Sequence, residues 1–399
     1  MEHAAAPAGW WAACRAVAGR EAAFLWRSPW DLAMLSWLPL GVCALVAWIF
    51  AAGIARDLPI VLVDADHSAL SRSLGRMLDA SPGLAVAAQT DRWDEAVVLL
   101  RERQAYGVVW IPAHLQRDLL GGRAATVQWF VNGQFQAHAG GMTRDVRTVV
   151  ATMSAGIELA AREKRGAAPV QARVQFEPIR LKLSTLFNEN ANYESFLTLA
   201  LLPSILQIFI ALAAVTAVGR ELKAGSVPAW LGAAGGRWGA ALAGKLLWPA
   251  LAFGVQAALF VAVFAGWRGW AVQGSGLAIA LGLAGLIGAY LALGLLLIAL
   301  TLTLRNAISF AAFLTAPAFA FCGQGFPLLA MPPLARAWAQ ALPLTHYLQI
   351  QSRHWTAGAP AFYSTTEQLI LCGFTLGAGG LALLLLRRRA AQPSAWGRS

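Results

Sequence analysis

The chain has 399 residues, of which 58% are hydrophobic and only 13% charged, with a formal net charge of +11. Soluble domains carry roughly 25% charged residues, so this composition excludes a wholly soluble protein. The basic excess does not mark a nucleic-acid binder either: residues 56–192 hold 16 basic and 14 acidic residues. The surplus sits instead in short segments beside apolar stretches, where it reports membrane topology.

In chain order, residues 1–31 predict a cytoplasmic helix lying in the membrane interface. Trp10, Trp11, Cys14, Val17, Ala18, Glu21 and Leu25 fall near helical spacing, with Arg15, Arg20 and Arg27 elsewhere and Trp26 and Trp30 adding aromatic weight. Residues 32–55 predict the first membrane span, centred on 33–54, too long and too far along the chain for a cleaved signal peptide. Residues 56–192 differ in texture and hold fourteen of the twenty acids. Short apolar runs at Leu58–Val63, Leu84–Ala88, Tyr106–Ile111 and Ala125–Val131 read as strands. Helical stretches alternate with them: one capped by Ser68 or His67 and running to about 80, one opening at Asp91, one over 114–120, and a long one from Phe135 to about Lys164. This pattern predicts an α/β domain. Asp64, Asp66 and His67 lie close in sequence, but strand-end and cap chemistry accounts for them, and no metal site is expected. The domain has no cysteine; Cys14, Cys43, Cys322 and Cys372 all lie in or near the apolar half, so no disulfide framework is read.

Charge-free windows at 195–219, 246–267, 269–304, 306–335 and 368–386 predict five further spans within residues 193–388. The total of six makes the chain an α-helical polytopic membrane protein with both termini on one side. Arg15, Arg20, Arg27, Arg220, Lys223, Arg237, Lys245, Arg305 and Arg387–Arg389 then share that side, which the positive-inside rule makes cytoplasmic. The α/β domain falls outside, a basic loop at 219–245 falls inside, and 389–399 is a cytoplasmic tail. The spans show essentially no ionisable residue, so coupling to an ion gradient is not expected.

Catalytic patterns are missing. Gly239 to Lys245 nearly spells a phosphate loop, but Leu246 stands where Ser or Thr must hold magnesium. Gly274-Ser275-Gly276 lacks the spacing of a serine nucleophile elbow, and His346 and His354 form no zinc motif. The chain reads as no enzyme and as holding no nucleotide or metal.

Two segments carry the sharpest signal. Gly219-Arg220-Glu221-Leu222-Lys223-Ala224-Gly225-Ser226 is a charged segment after the second span. Between Gly323 and Leu348, Phe326-Pro327 is followed by Met331-Pro332-Pro333 and then Leu342-Pro343-Leu344-Thr345-His346-Tyr347-Leu348. Prolines 327, 332, 333 and 343 remove amide donors, so 323–348 is expected to be a broken, re-entrant hairpin rather than a continuous span. In the α/β domain, Leu62-Val63-Asp64 precedes Ser68-Ala69-Leu70-Ser71-Arg72.

Together these residues resemble the membrane permease subunit of type-2 ABC exporters, in the branch with a large external domain, over nearly the whole chain from the first span onward. Arg220, Glu221 and Gly225 match the family's R-E-R-E-x-G-T element; Ser226 replaces Thr, Leu222 and Lys223 depart, and Cys322-Gly323 stands for the usual Ser-Gly. The resemblance implies a bacterial inner-membrane permease, driven by separate cytoplasmic ABC ATPase subunits that bind the ATP and magnesium. A second permease subunit, identical or not, would complete the pathway, and such members often use a periplasmic adaptor and outer-membrane duct. Arg220, Glu221, Lys223, Gly225 and Ser226 would form the ATPase-coupling loop. Gly323, Phe326, Pro327, Met331, Pro332, Pro343, Thr345 and His346 would form the external hairpin. The apolar spans favour export of a hydrophobic or amphipathic substrate. The alternative is a non-transporting envelope scaffold or receptor whose external domain binds a partner.

Overall fold

The computed structural model describes residues 9–51, 56–102, 104–121, 123, 125–132, 136–164, 193–390, 392–393 and 396–397. Residues 52–55 of the first expected span and 165–192 of the expected α/β domain lie outside them. The chain divides into two compact units, one running from Ala52 to Tyr193 and the other joining the residues before Ala52 to those from Glu194 onward.

In the inserted unit, strands β1 (Leu58–Asp64), β2 (Leu84–Thr90), β3 (Gly107–Ile111) and β4 (Gln128–Val131) form one sheet in the order β2-β1-β3-β4. β1 pairs parallel with β2 and β3, while β4 joins antiparallel at the edge. The central β1 is apolar from Leu58 to Val63 because both of its faces are covered. Ile60 and Leu62 pack with Leu74, Leu78, Val109, Ile111 and Val146 on one face. Val61 and Val63 meet Ala96 and Val108 on the other. Helices α4 (Ala69–Asp79), α6 (Leu115–Leu120) and α7 (Gln136–Lys164) supply the first layer, and α5 (Trp93–Arg101) the second. Gly107 is required at its place, since a Cβ there would stand 2.1 Å from the Trp129 ring.

The Asp64–His67 segment is turn chemistry. Asp64 Oδ1 accepts from the amides of Asp66 and His67, and its Oδ2 accepts from the Ser71 hydroxyl. Ser68 and Ser71 close a reciprocal capping box at the start of α4. The α4 cap is therefore Ser68, and His67 takes the left-handed turn position before it.

The second unit begins with α1 (Trp10–Arg27), α2 (Pro29–Leu35) and α3 (Trp37–Ile49). After the inserted unit come α8 (Tyr193–Lys223), the short α9 (Val227–Ala233) and α10 (Trp238–Val261), which continues as a π-helical turn over Ala262–Trp267. They are followed by α11 (Gly276–Thr301), α12 (Leu304–Thr315), α13 (Ala318–Phe321), α14 (Pro333–Gln340), α15 (Pro343–Gln351) and α16 (Thr365–Arg389). Among the described residues five helical stretches are long and apolar enough to cross a membrane: Glu194–Lys223, Trp238–Trp267, Gly276–Thr301, Leu304–Phe321 and Ala361–Arg389.

The first expected span falls on a bent pair, α2 and α3, turning 44° at Ser36, and counting that pair as one span brings the number among the described residues to six. The bend has a local cause. Pro39 has no amide to give to the Leu35 carbonyl four residues earlier, and the Gln256 side chain of α10 donates to that carbonyl instead, at 2.7 Å. The same device recurs in α8, where Pro203 frees the Leu199 carbonyl and Gln351 of α15 donates to it at 2.7 Å. Close packing comes from small residues. A Cβ on Gly294 would lie 2.5 Å from the Ala211 carbonyl, so the backbones of α11 and α8 approach closely there.

Candidate functional site

Where α1, α8 and α10 meet, the apolar bundle encloses charge. Glu21 lies on the covered face of α1, which also carries Ala13, Cys14, Val17, Ala18 and Leu25. That face packs on α10, and the approach is close because Gly244 has no side chain: a Cβ there would stand 2.7 Å from the Cys14 carbonyl. Trp248 of α10 donates to the Ala18 carbonyl at 2.8 Å. One residue beyond Gly244, Lys245 is 1% exposed. Its Nζ lies 2.6 Å from Glu21 Oε2 and 2.6 Å from Glu221 Oε1.

Glu221, at the end of α8, is 4% exposed. Besides Lys245 it receives Arg20 Nη2 at 2.9 Å and the Ser226 hydroxyl at 2.5 Å. The neighbouring Arg220 pairs with Glu21, approaches Asp31 at 3.5 Å and stacks over Phe24 at 4.0 Å. Three cations, Arg20, Arg220 and Lys245, thus face three carboxylates, Glu21, Asp31 and Glu221. Each carboxylate is matched locally, which is what burial of charge requires.

The expected basic loop over 219–245 is therefore not a loop. Arg220, Glu221 and Lys223 belong to the last turn of α8, whose helix runs one turn past the apolar stretch. Gly225 takes a positive φ of 65°, turning the chain, and Ser226 precedes α9. Trp230 of α9 is buried and donates to the Ala241 carbonyl at 3.3 Å, which pins α9 onto the start of α10. Of the expected coupling residues, Arg220, Glu221 and Ser226 point into the cluster, while Lys223 is exposed. The near phosphate loop, Gly239 to Leu246, is helical, with Gly244 a packing contact and Lys245 an ion-pair partner. Glu221 and Lys245 lie just beyond the expected charge-free spans, on helices that run past them.

Sequence reasoning passed over Glu21 and Lys245 as members of one site. The signals were an acid on the apolar stripe of the first helix and a lysine bordering a charge-free window. Neither pattern tells which residue the other will meet, because Glu21 and Lys245 lie 224 residues apart in the chain.

The second expected site, 323–348, lies by the start of α8, at the far end of that helix from Glu221. Gln324 donates to the Phe196 carbonyl at 3.2 Å, and Gln351 to that of Leu199. Gly323 takes a φ of 88° beneath Leu328. Arg336 holds the turn by donating to the carbonyls of Leu328, Leu329 and Met331 at 3.1, 2.8 and 3.2 Å. Met331, Pro343, Thr345 and His346 are buried, and His346 Nε2 lies 2.9 Å from the Gln340 carbonyl. Phe326, Pro327 and Pro332 are exposed. Two ion pairs, Arg268 with Glu194 and Arg353 with Glu367, also stand at this end.

A mostly helical bundle with five long apolar helices among the described residues, an inserted α/β unit and a charge cluster at one set of helix ends is the build of a polytopic membrane protein. Residues 29–384 match the ABC-2 family transporter protein, and the chain belongs to that family. It is a membrane permease of the ABC-2 type, a component generally without catalysis whose ATPase is carried by a separate subunit. None of the curated proteins matches the chain.

Proposed function

We propose that this permease subunit exports a hydrophobic or amphipathic substrate from a bacterial inner membrane or cytoplasm, driven by ABC ATPase subunits docked at the turn and short helix that follow α8. The observation that carries the reading is the rigid mounting of that turn. α9 is pinned to α10 through Trp230, and the turn is tied through Ser226 and Glu221 to α1 and α10. A force applied to α9 reaches three helices at once. The turn also holds Arg220, Glu221, Gly225 and Ser226, the positions that resemble the family's coupling element.

In this reading the bent α2–α3 pair serves as a sixth span, both termini are cytoplasmic and the α/β unit lies outside. The segment 323–348 is then the external hairpin. Exposed Trp26 and Trp30 near one set of helix ends, and Trp48 and Trp267 near the other, suit the two membrane interfaces. A second permease subunit completes the pathway, and a periplasmic adaptor with an outer-membrane duct is the natural extension for a chain with a large external unit. An apolar cleft of about 650 Å³ between α10 and α11, lined by Ala250, Gly254, Ala257, Ile279, Leu283 and Ile287, supports an apolar cargo.

The test is transport. Vesicles holding the chain and its co-expressed ATPase should accumulate lipophilic dyes with ATP and lose that activity when the ATPase cannot hydrolyse. A chain that retains an external protein partner but moves nothing would instead be an envelope scaffold.

A further inference from the structure

Trp396 and Gly397 lie beyond the family match, which ends at residue 384, yet they stand against the turn after α8. The Gly397 amide donates to the Leu222 carbonyl at 3.0 Å, joining the Gly225 amide, which donates to the same carbonyl at 3.2 Å. Trp396 donates through its indole to the Ala390 carbonyl at 2.9 Å, closing the end of α16. Its Cβ lies 3.9 Å from the position a Cβ would take on Gly225. Trp396 thus joins the end of α16 to the α8–α9 turn.

The charge around this turn has one sign. Lys223, Arg237, Arg387 and Arg388 are exposed. The described carboxylates of the helical unit are spent elsewhere: Glu21 and Glu221 are buried in the cluster, Asp31 is held by Arg220 and Ser28, and Glu194 and Glu367 pair with arginines at the far helix ends. Glu221, the acid that the sequence offers to a partner cation, faces inward.

We propose that the ATPase seat is composite, built from the α8–α9 turn, α9 and the Trp396–Gly397 segment, and that it selects a partner presenting an acidic face. This rests on the ATPase reading given above. Opposite charge across the contact steers and orients the partner, and the tail adds a surface that the family match does not include.

The experiment purifies the full chain in detergent with its co-expressed cognate ATPase subunit and measures the ATPase retained. The wild-type chain should retain it, with retention falling as salt rises from about 50 to about 500 mM, which screens exposed charge. Lys223→Glu and Trp396→Ala should each lower retention about fivefold or more at unchanged melting temperature, with Trp396→Phe close to wild type. If Trp396→Ala unfolds the helical unit, Gly397→Pro carries the same test, because proline has no amide to give Leu222 and cannot take the φ of 73° found at Gly397. Retention unchanged in Lys223→Glu and in the tail variants overturns the composite seat and leaves the ATPase reading standing. No retention by the wild-type chain overturns both. Loss of co-purified anionic phospholipid from Lys223→Glu, with the ATPase fully retained, makes the surface a lipid contact and overturns the proposal as well.

Discussion

Glu221 shows how burial changes the meaning of a residue. Taken as a loop acid, its reversal should barely disturb folding, since exposed pairs contribute about 0–1 kcal/mol. In the structure it answers Lys245, Arg20 and Ser226 inside the protein. Removing one partner of a buried ion pair leaves the other uncompensated, at about 3–5 kcal/mol. Glu221→Ala is therefore expected to lower the melting temperature of the detergent-purified chain markedly, and Glu221→Arg to abolish folded protein. Two residues along, exposed Lys223→Glu should stay within about 0.5 kcal/mol of wild type. If the two positions respond alike, the cluster does not hold the helices together.

Helices in this protein tolerate proline because another element answers the carbonyl that proline leaves open. Gln351→Leu should leave the Leu199 carbonyl unpaired and cost about 1–3 kcal/mol. Adding Pro203→Ala should recover much of that loss, because an alanine amide reaches the same carbonyl within α8. A thermal-melt double-mutant cycle measures the coupling, and strict additivity would refute the pairing. In the α/β unit, Ser68→Ala removes half of a capping box and should cost about 1 kcal/mol, read by urea unfolding. Much of this was legible in the sequence. Strand and helix order in the inserted unit follows from apolar runs and caps, and the stripe of α1 from spacing alone. The bend at Ser36 and the fate of Glu21 and Lys245 were not, since each depends on a side chain brought in from a distant helix. The segment 323–348 could be seen to be broken by its prolines, but not that Arg336 would hold the turn.

For the whole molecule, topology and energy source are the claims to test. Reporter fusions after Gly121 and Ala357 should read external, and those after Lys223 and Arg389 cytoplasmic; a cytoplasmic reading at Gly121 would reverse the orientation. The central claim is that this family member supplies the pathway and borrows its energy. Its most direct test is to purify the full chain with and without the co-expressed ATPase subunit and measure ATP hydrolysis in the same detergent. The chain alone should hydrolyse no ATP, and the co-purified complex should hydrolyse it in proportion to the ATPase retained. Hydrolysis by the chain alone, or a chain that retains no ATPase subunit under any of these conditions, would contradict it.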